Sequence, residues 1–205
     1  MLASIRVVLF AAILAVVCSL LLAGATQVFG PYREANEKAE EVRNFLSALE
    51  IPVEDPSDAR ALVDVFDENI REANVGELTI YEYVGGAANS DPIAYAVPFS
   101  GSGLWGPVLG VLALESDFET IRGVRFYKQE ETPGLGGEIG AQWFQDQFVG
   151  KKLVSGSGNP GFSVTKPGAA TNQNEVDGIT GATMTSARVG VMIDQLAKNL
   201  LEERN

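Results

Sequence analysis

Residues 176–186 read Val-Asp-Gly-Ile-Thr-Gly-Ala-Thr-Met-Thr-Ser, and they hold the densest set of chemically useful groups in the chain. Thr180, Thr183, Thr185 and Ser186 crowd four hydroxyls together, Gly178 and Gly181 loosen the backbone, and a helical pattern follows at once. A helix start offers backbone N–H groups and the positive end of the helix dipole to an anion. Ser, Thr and Asp are also the residues that cap helices best, so a plain helix cap is the competing reading of the same letters. The 205 residues contain no histidine, which removes His-based triads, imidazole bases and the common zinc sites. A hydroxyl here has no imidazole to activate it. The single cysteine, Cys18, lies in an apolar run and cannot form an internal disulfide.

The rest of the chain must position this stretch. Val7 to Ala25 is apolar apart from Ser19, and no charge falls between Arg6 and Arg33. Roughly 20 such residues at about 1.5 Å each span a hydrocarbon core. A retained anchor is expected, with a cleaved signal peptide ending near Ala23-Gly24-Ala25 as the alternative. Basic residues on both sides leave its orientation open. Gly30-Pro31 is expected to break or kink the helix. Beyond it Ala35, Ala39, Val42, Phe45, Leu46 and Leu49 recur at helical spacing. Pro56-Ser57-Asp58 starts a second helix carrying Leu62, Val65, Phe66 and Ile70. Strand-like alternation covers Leu78–Val84, Ile93–Phe99, Pro107–Leu114 and Ile121–Tyr127, with a turn expected over Gly85–Pro92. Glu138–Val149 reads as one short helix with Ile139, Trp143, Phe144 and Phe148 inward. Phe162–Lys166 reads as a last strand, and Val189, Met192, Ile193, Leu196, Leu200 and Leu201 line a closing amphipathic helix.

Gly101-Ser102-Gly103-Leu104-Trp105-Gly106 matches the dinucleotide fingerprint G-x-G-x-x-G letter for letter. That fingerprint needs a helix to open at its end, whereas Pro107–Leu114 is a buried-strand pattern, so nucleotide binding of that kind is rejected here. Net charge is −12, from 27 acidic and 15 basic residues, which argues against nucleic acid as a partner and against docking on anionic lipid by charge. Strands interrupted by helices without regular alternation predict an α+β fold.

Four stretches together resemble a known family. They are Gly103-Leu104-Trp105-Gly106 with Gly110–Glu115, then Gly123–Tyr127, then Glu131-Thr132-Pro133-Gly134-Leu135-Gly136-Gly137-Glu138, and finally Asp177–Thr183. In this order they are similar to the FMN-binding domain in the form found in the C subunit of the sodium-translocating NADH:quinone oxidoreductase. The related G subunit of the Rnf complex shares two of these signals. Relatives often carry His shortly before Glu-Thr-Pro-Gly-Leu-Gly, where this chain has Gln129 and Glu130.

The resemblance implies a single N-terminal transmembrane helix (1–30), a helical stalk (31–75) and one mixed α+β FMN-binding domain with antiparallel strands and flanking helices (76–205). It implies covalent FMN on Thr183 through a phosphoester bond, installed by a separate flavin transferase, with Gly181 and Ala182 giving access and Asp177 in the modification motif. Thr185 is the local alternative acceptor. By the same resemblance Leu104 and Trp105 flank the flavin ring, and Glu131, Thr132 and Leu135 line its other side. Lys166 is a further candidate contact or a solvated lysine at a strand end. The implied partners are the other subunits of a reductase in the inner membrane, with the soluble domain on the outer side. Two other readings remain: an Rnf-type or stand-alone extracytoplasmic flavoprotein, and a flavin-free membrane-anchored binding module.

Overall fold

A computed structural model describes residues 2–86 and 90–204. Ala87–Asn89 of the expected turn and the side chain of Ala35 lie outside the described residues. Residues 1–40 and 41–205 form two compact units.

The first unit is helical. Helix α1 runs from Leu2 to Ala48 with Pro31 inside it, so of the break or kink expected at Gly30-Pro31 the break does not occur. A proline inside a helix removes one hydrogen bond and crowds the preceding turn, at a cost of about 3 kcal/mol. Helix-forming Ala, Leu, Glu and Lys on both sides sustain the helix across that loss. This is the one helix among the described residues long and apolar enough to cross a membrane, with a mean hydropathy of 2.9 in its most apolar window. Its apolar side chains from Ile5 to Phe29 are exposed.

The second unit is built on a five-stranded antiparallel meander in the order β1-β2-β3-β4-β5. The strands are β1 (Ile70–Val75), β2 (Leu78–Tyr83), β3 (Ala94–Ser102), β4 (Pro107–Glu115) and β5 (Ile121–Lys128). Strand β1 has no counterpart in the sequence pattern. Ile70, which periodicity assigns to the preceding helix, instead opens a strand paired with Tyr83. Helix α2 (Ala59–Asn69) stops just before it and is capped at its start by Asp58, which accepts from Arg60 N–H.

Both faces of the sheet are covered, and this explains why β4 reads as nearly continuous Val and Leu rather than alternating. On one face lie the last turns of α1 and α2. Phe45 packs on Tyr81 with ring centroids 4.8 Å apart, and Arg122 Nε donates to Leu49 O at 2.9 Å. On the other face Val97, Leu112, Leu114, Val124 and Phe126 share a core with Val189, Ile193, Leu196 and Leu200 of the closing helix α4 (Thr183–Arg204).

Residues 136–148 do not form the single helix expected. They divide into a 3₁₀ turn (Gly136–Gly140), the four-residue α3 (Gln142–Gln145) and a second 3₁₀ turn (Asp146–Phe148). Each break resets the helical phase. Ile139, Phe144 and Phe148 are buried as expected, but Trp143 is 51% exposed and Gln145 takes the inward place. Short strands β6 (Ser163–Thr165) and β7 (Glu175–Asp177) pair in parallel. Strand β7 is invisible in the sequence pattern, because three residues carry too little periodicity to be seen.

Candidate functional site

Gly103-Leu104-Trp105-Gly106 is the turn between β3 and β4, closed by Gly103 N–H donating to Gly106 O at 2.8 Å. Ser102 pairs with Pro107 across the hairpin. No helix opens after this turn, which agrees with rejecting the dinucleotide fingerprint. Leu104 is 41% and Trp105 71% exposed.

Under the turn lies Glu131, only 5% exposed. Its Oε1 accepts from the N–H of Leu104 (2.6 Å) and of Trp105 (3.0 Å), while Oε2 accepts from the Thr185 hydroxyl. The resemblance puts Glu131 along the flavin ring; in the structure its carboxylate is enclosed by protein donors. Gly103 and Gly136 make room for it. A Cβ on Gly103 would lie 2.5 Å from Glu131 Oε1, and one on Gly136 would lie 2.7 Å from Oε2 and 2.6 Å from Thr185 Oγ1. Gln129, at the place where relatives often carry His nearby, accepts from Glu131 N–H at 2.6 Å and shapes the approach to the loop.

Burial pushes the Glu131 pKa up, but bonds from Thr185, Trp105 and Leu104 and the Arg188 cation outweigh it and hold the carboxyl below its ordinary value of 4.5. A depressed folded-state pKa contributes stability above the unfolded value and loses it as pH falls through the folded value. Acid titration of the wild-type chain should therefore show a loss of stability below pH 4.5 that Glu131→Gln lacks, read as the urea midpoint against pH for both proteins.

The loop after Glu131 turns back on itself, with Leu135 and Gly137 N–H both donating to Thr132 O. Thr132 is exposed, and Leu135 is 43% exposed. Leu135 also meets the second motif, because its Cδ2 lies 3.0 Å from where a Cβ on Gly181 would be. Gly181 has φ +80°, a conformation other residues adopt only with strain.

That places the 131–137 loop, the 103–106 turn and the start of α4 side by side. Thr183 is the first residue of α4 and is exposed. Ala182, at the cap position, is buried and has no hydroxyl, so the plain-cap reading loses its capping group. The first intrahelical bond runs from Ser186 N–H to Ala182 O, leaving the amides of residues 183–185 ahead of it. Of the other hydroxyls in this stretch, Thr180 is exposed in the turn before the helix, and the two inside the helix are committed. Thr185 is 2% exposed and bound to Glu131, while Ser186 is 3% exposed and accepts from Ile179 N–H at 3.0 Å. Met184, 56% exposed, adds a fourth apolar side chain to Leu104, Trp105 and Leu135.

Asp177, expected within the modification motif, uses Oδ1 to hold the N–H groups of Ala169 (2.8 Å) and Ala170 (2.9 Å). It anchors the turn that follows β6. Lys166 is exposed at the end of β6, and its carbonyl closes that turn by accepting from Ala169 N–H. Arg188 is a residue that sequence reasoning misses. One turn past Thr185 on α4, its Nη1 donates to Gly103 O and so pins the hairpin turn to the helix. No local sequence pattern signals that contact, because Gly103 and Arg188 meet only in the fold.

The arrangement suits a planar, partly apolar cofactor bearing an anionic arm: exposed Leu, Trp and Met side chains beside a free hydroxyl at a helix start. The domain is α+β, and residues 103–198 match the FMN-binding domain family. The chain is similar to the C subunit of the Na(+)-translocating NADH-quinone reductase. The protein of that name from Vibrio anguillarum is 43% identical over 118 residues, 57% of this chain and 44% of the relative, so the matched stretch spans less than half of that protein. The crystal structure of the C subunit from Parabacteroides distasonis superposes with a TM-score of 0.72 at 28% identity, covering 85% of this chain and 96% of that one. Shewanella oneidensis NqrC, at 21% identity and a TM-score of 0.67, covers 82% of this chain and 99% of its own and shares the fold.

Proposed function

We propose that this chain is the covalent-FMN electron carrier of a membrane Na+-translocating NADH:quinone oxidoreductase, relaying electrons between neighbouring subunits. One observation carries the reading: Thr183 is the exposed hydroxyl of a helix start whose other hydroxyls, Thr185 and Ser186, are buried and bonded, and it stands among exposed apolar side chains. Supporting it are the family match over residues 103–198 and the name carried by the similar proteins.

In this reading Thr183 Oγ carries the phosphate as an ester, with the α4 amides and helix dipole offsetting its charge. Leu104, Trp105 and Leu135 bound the ring and keep water from it, with Thr132 at the loop edge. Gly181 and Ala182 leave the hydroxyl approachable. Lys166 supplies positive charge from the end of β6. The cofactor supplies the redox chemistry. The chain's own bases are poorly placed to activate Thr183, since Glu131 is filled by three donors and Asp177 Oδ1 by two. A separate flavin transferase therefore supplies the base, as an unaided hydroxyl is a weak nucleophile. Helix α1 anchors the chain in the inner membrane through residues 1–30, and the flavin domain, residues 76–205 together with the α2 and β1 segments that share their compact unit, lies on the outer side.

The intact mass of the chain isolated from membranes containing the transferase tests this. It is expected to exceed the sequence mass by one FMN less one water, with the addition on the peptide holding Thr183. A chain of unmodified mass from such membranes would overturn the assignment.

A further inference from the structure

The Glu131 carboxylate is the one nearly buried acidic side chain among the described residues, and it is bonded from two directions at once. Two consecutive backbone N–H groups, as at Leu104 and Trp105, form a small concavity that accepts an anion. In this chain the protein's own carboxylate fills it. The same carboxylate accepts from Thr185, 54 residues away, in the first turn of α4. Arg188, one turn further, reaches the opposite side of the hairpin turn at Gly103 O. The two glycines that flank the carboxylate leave it no slack, since a Cβ at either would fall within 2.7 Å of it.

We infer that Glu131 is a positioning residue: its buried carboxylate, held between the Leu104–Trp105 turn and Thr185, locks three separate segments into one frame around Thr183. This rests on the flavin reading for its purpose, though not for its geometry. The Leu104 and Trp105 amides are thereby unavailable to the flavin phosphate, which is left to the start of α4. Thr185 is likewise withheld from modification, because its hydroxyl proton is engaged and the side chain is buried.

The test is amide hydrogen exchange on the full chain in detergent, without flavin, read at single residues. In Glu131→Ala, exchange at Leu104 and Trp105 is expected to accelerate about tenfold or more, while Val111 and Leu112 in the interior of β4 stay near wild type. Glu131→Gln should rescue to within about threefold, because its carbonyl can accept from both amides while its NH₂ faces the Thr185 hydroxyl. Unchanged exchange at Leu104 and Trp105 in the alanine variant would overturn the inference, and so would a uniform acceleration that includes Val111 and Leu112. Should Glu131→Ala fail to fold, Thr185→Val reads the helix arm alone: faster exchange confined to the 103–106 turn and the 131–137 loop supports the lock, and none refutes it. A flavin-free wild-type chain from transferase-containing membranes would sink the flavin assignment and leave these exchange results standing.

Discussion

Thr183→Val leaves a chain that folds, inserts and carries no covalent flavin. Valine matches threonine in shape and lacks only the hydroxyl, and Thr183 is exposed at the first position of α4, so the fold loses little. A surface change of this kind typically stays within about 0.5 kcal/mol. The chemical loss is expected to be complete, because within the helix itself the ester has no other open hydroxyl, and exposed Thr180 lies in the turn before the helix start. Thr185 is 2% and Ser186 3% exposed, and both are bonded inside the helix start. Denaturing gels under ultraviolet light are expected to lose the fluorescent band entirely, and the intact mass is expected to drop by one FMN less one water. Thr185→Val should keep the band while weakening the fold, since it leaves Glu131 Oε2 without its donor, a loss of about 1–3 kcal/mol. A band that survives Thr183→Val and disappears in Thr185→Val would reverse the assignment of the acceptor.

Phe148→Ala carries the largest expected stability effect. Phe148 is fully buried in the second 3₁₀ turn and touches three other rings: Phe144 at 5.4 Å, Phe162 at 5.4 Å and Phe126 at 6.2 Å between centroids. Those rings come from α3, the segment leading into β6, and β5. The cluster thus supports from below the loop that carries Glu131 and Leu135. Truncating a buried phenylalanine costs about 3–5 kcal/mol, through lost transfer energy and the cavity left behind. For a unit of this size that is roughly 6–20 °C in Tm. Thermal unfolding followed by near-ultraviolet circular dichroism would measure it. A shift of only about a degree would mean that the neighbouring rings collapse into the space.

How far the letters alone reach can be judged residue by residue. The 3.6-residue recurrence of Val189, Ile193, Leu196 and Leu200 marks α4, because one side of a surface helix must be apolar to bury it. The apolar run of β4 and the turn glycines before it likewise place a hairpin, and so dispose of the G-x-G-x-x-G match. Asp58 caps α2 at the position its chemistry predicts. These are local properties, in which neighbouring residues in sequence are also neighbours in space. The family resemblance extends them, since the Leu-Trp-Gly, Thr-Pro-Gly-Leu-Gly and Gly-Ala-Thr stretches keep their order along the chain.

What the letters cannot carry is an equilibrium settled by distant partners. Strand β1 exists because β2 pairs with it, and β7 because β6 and the Gln147 amide meet its edge. Trp143 faces outward because two breaks reset the helical phase around it. Helix α1 continues through Pro31 because the residues on both sides sustain it. Glu131 and Thr185 are 54 residues apart, and no local pattern announces that one's carboxylate will be buried against the other's hydroxyl. That hydroxyls, glycines and a helix start come together at 177–186 is already written in the chain, since all three are encoded within one short stretch. Which of those hydroxyls stays free is a matter of three-dimensional packing. Burial depends on what meets a side chain from elsewhere in the chain, and here it covers Thr185 and Ser186 while leaving Thr183, and Thr180 in the turn before it, in the open.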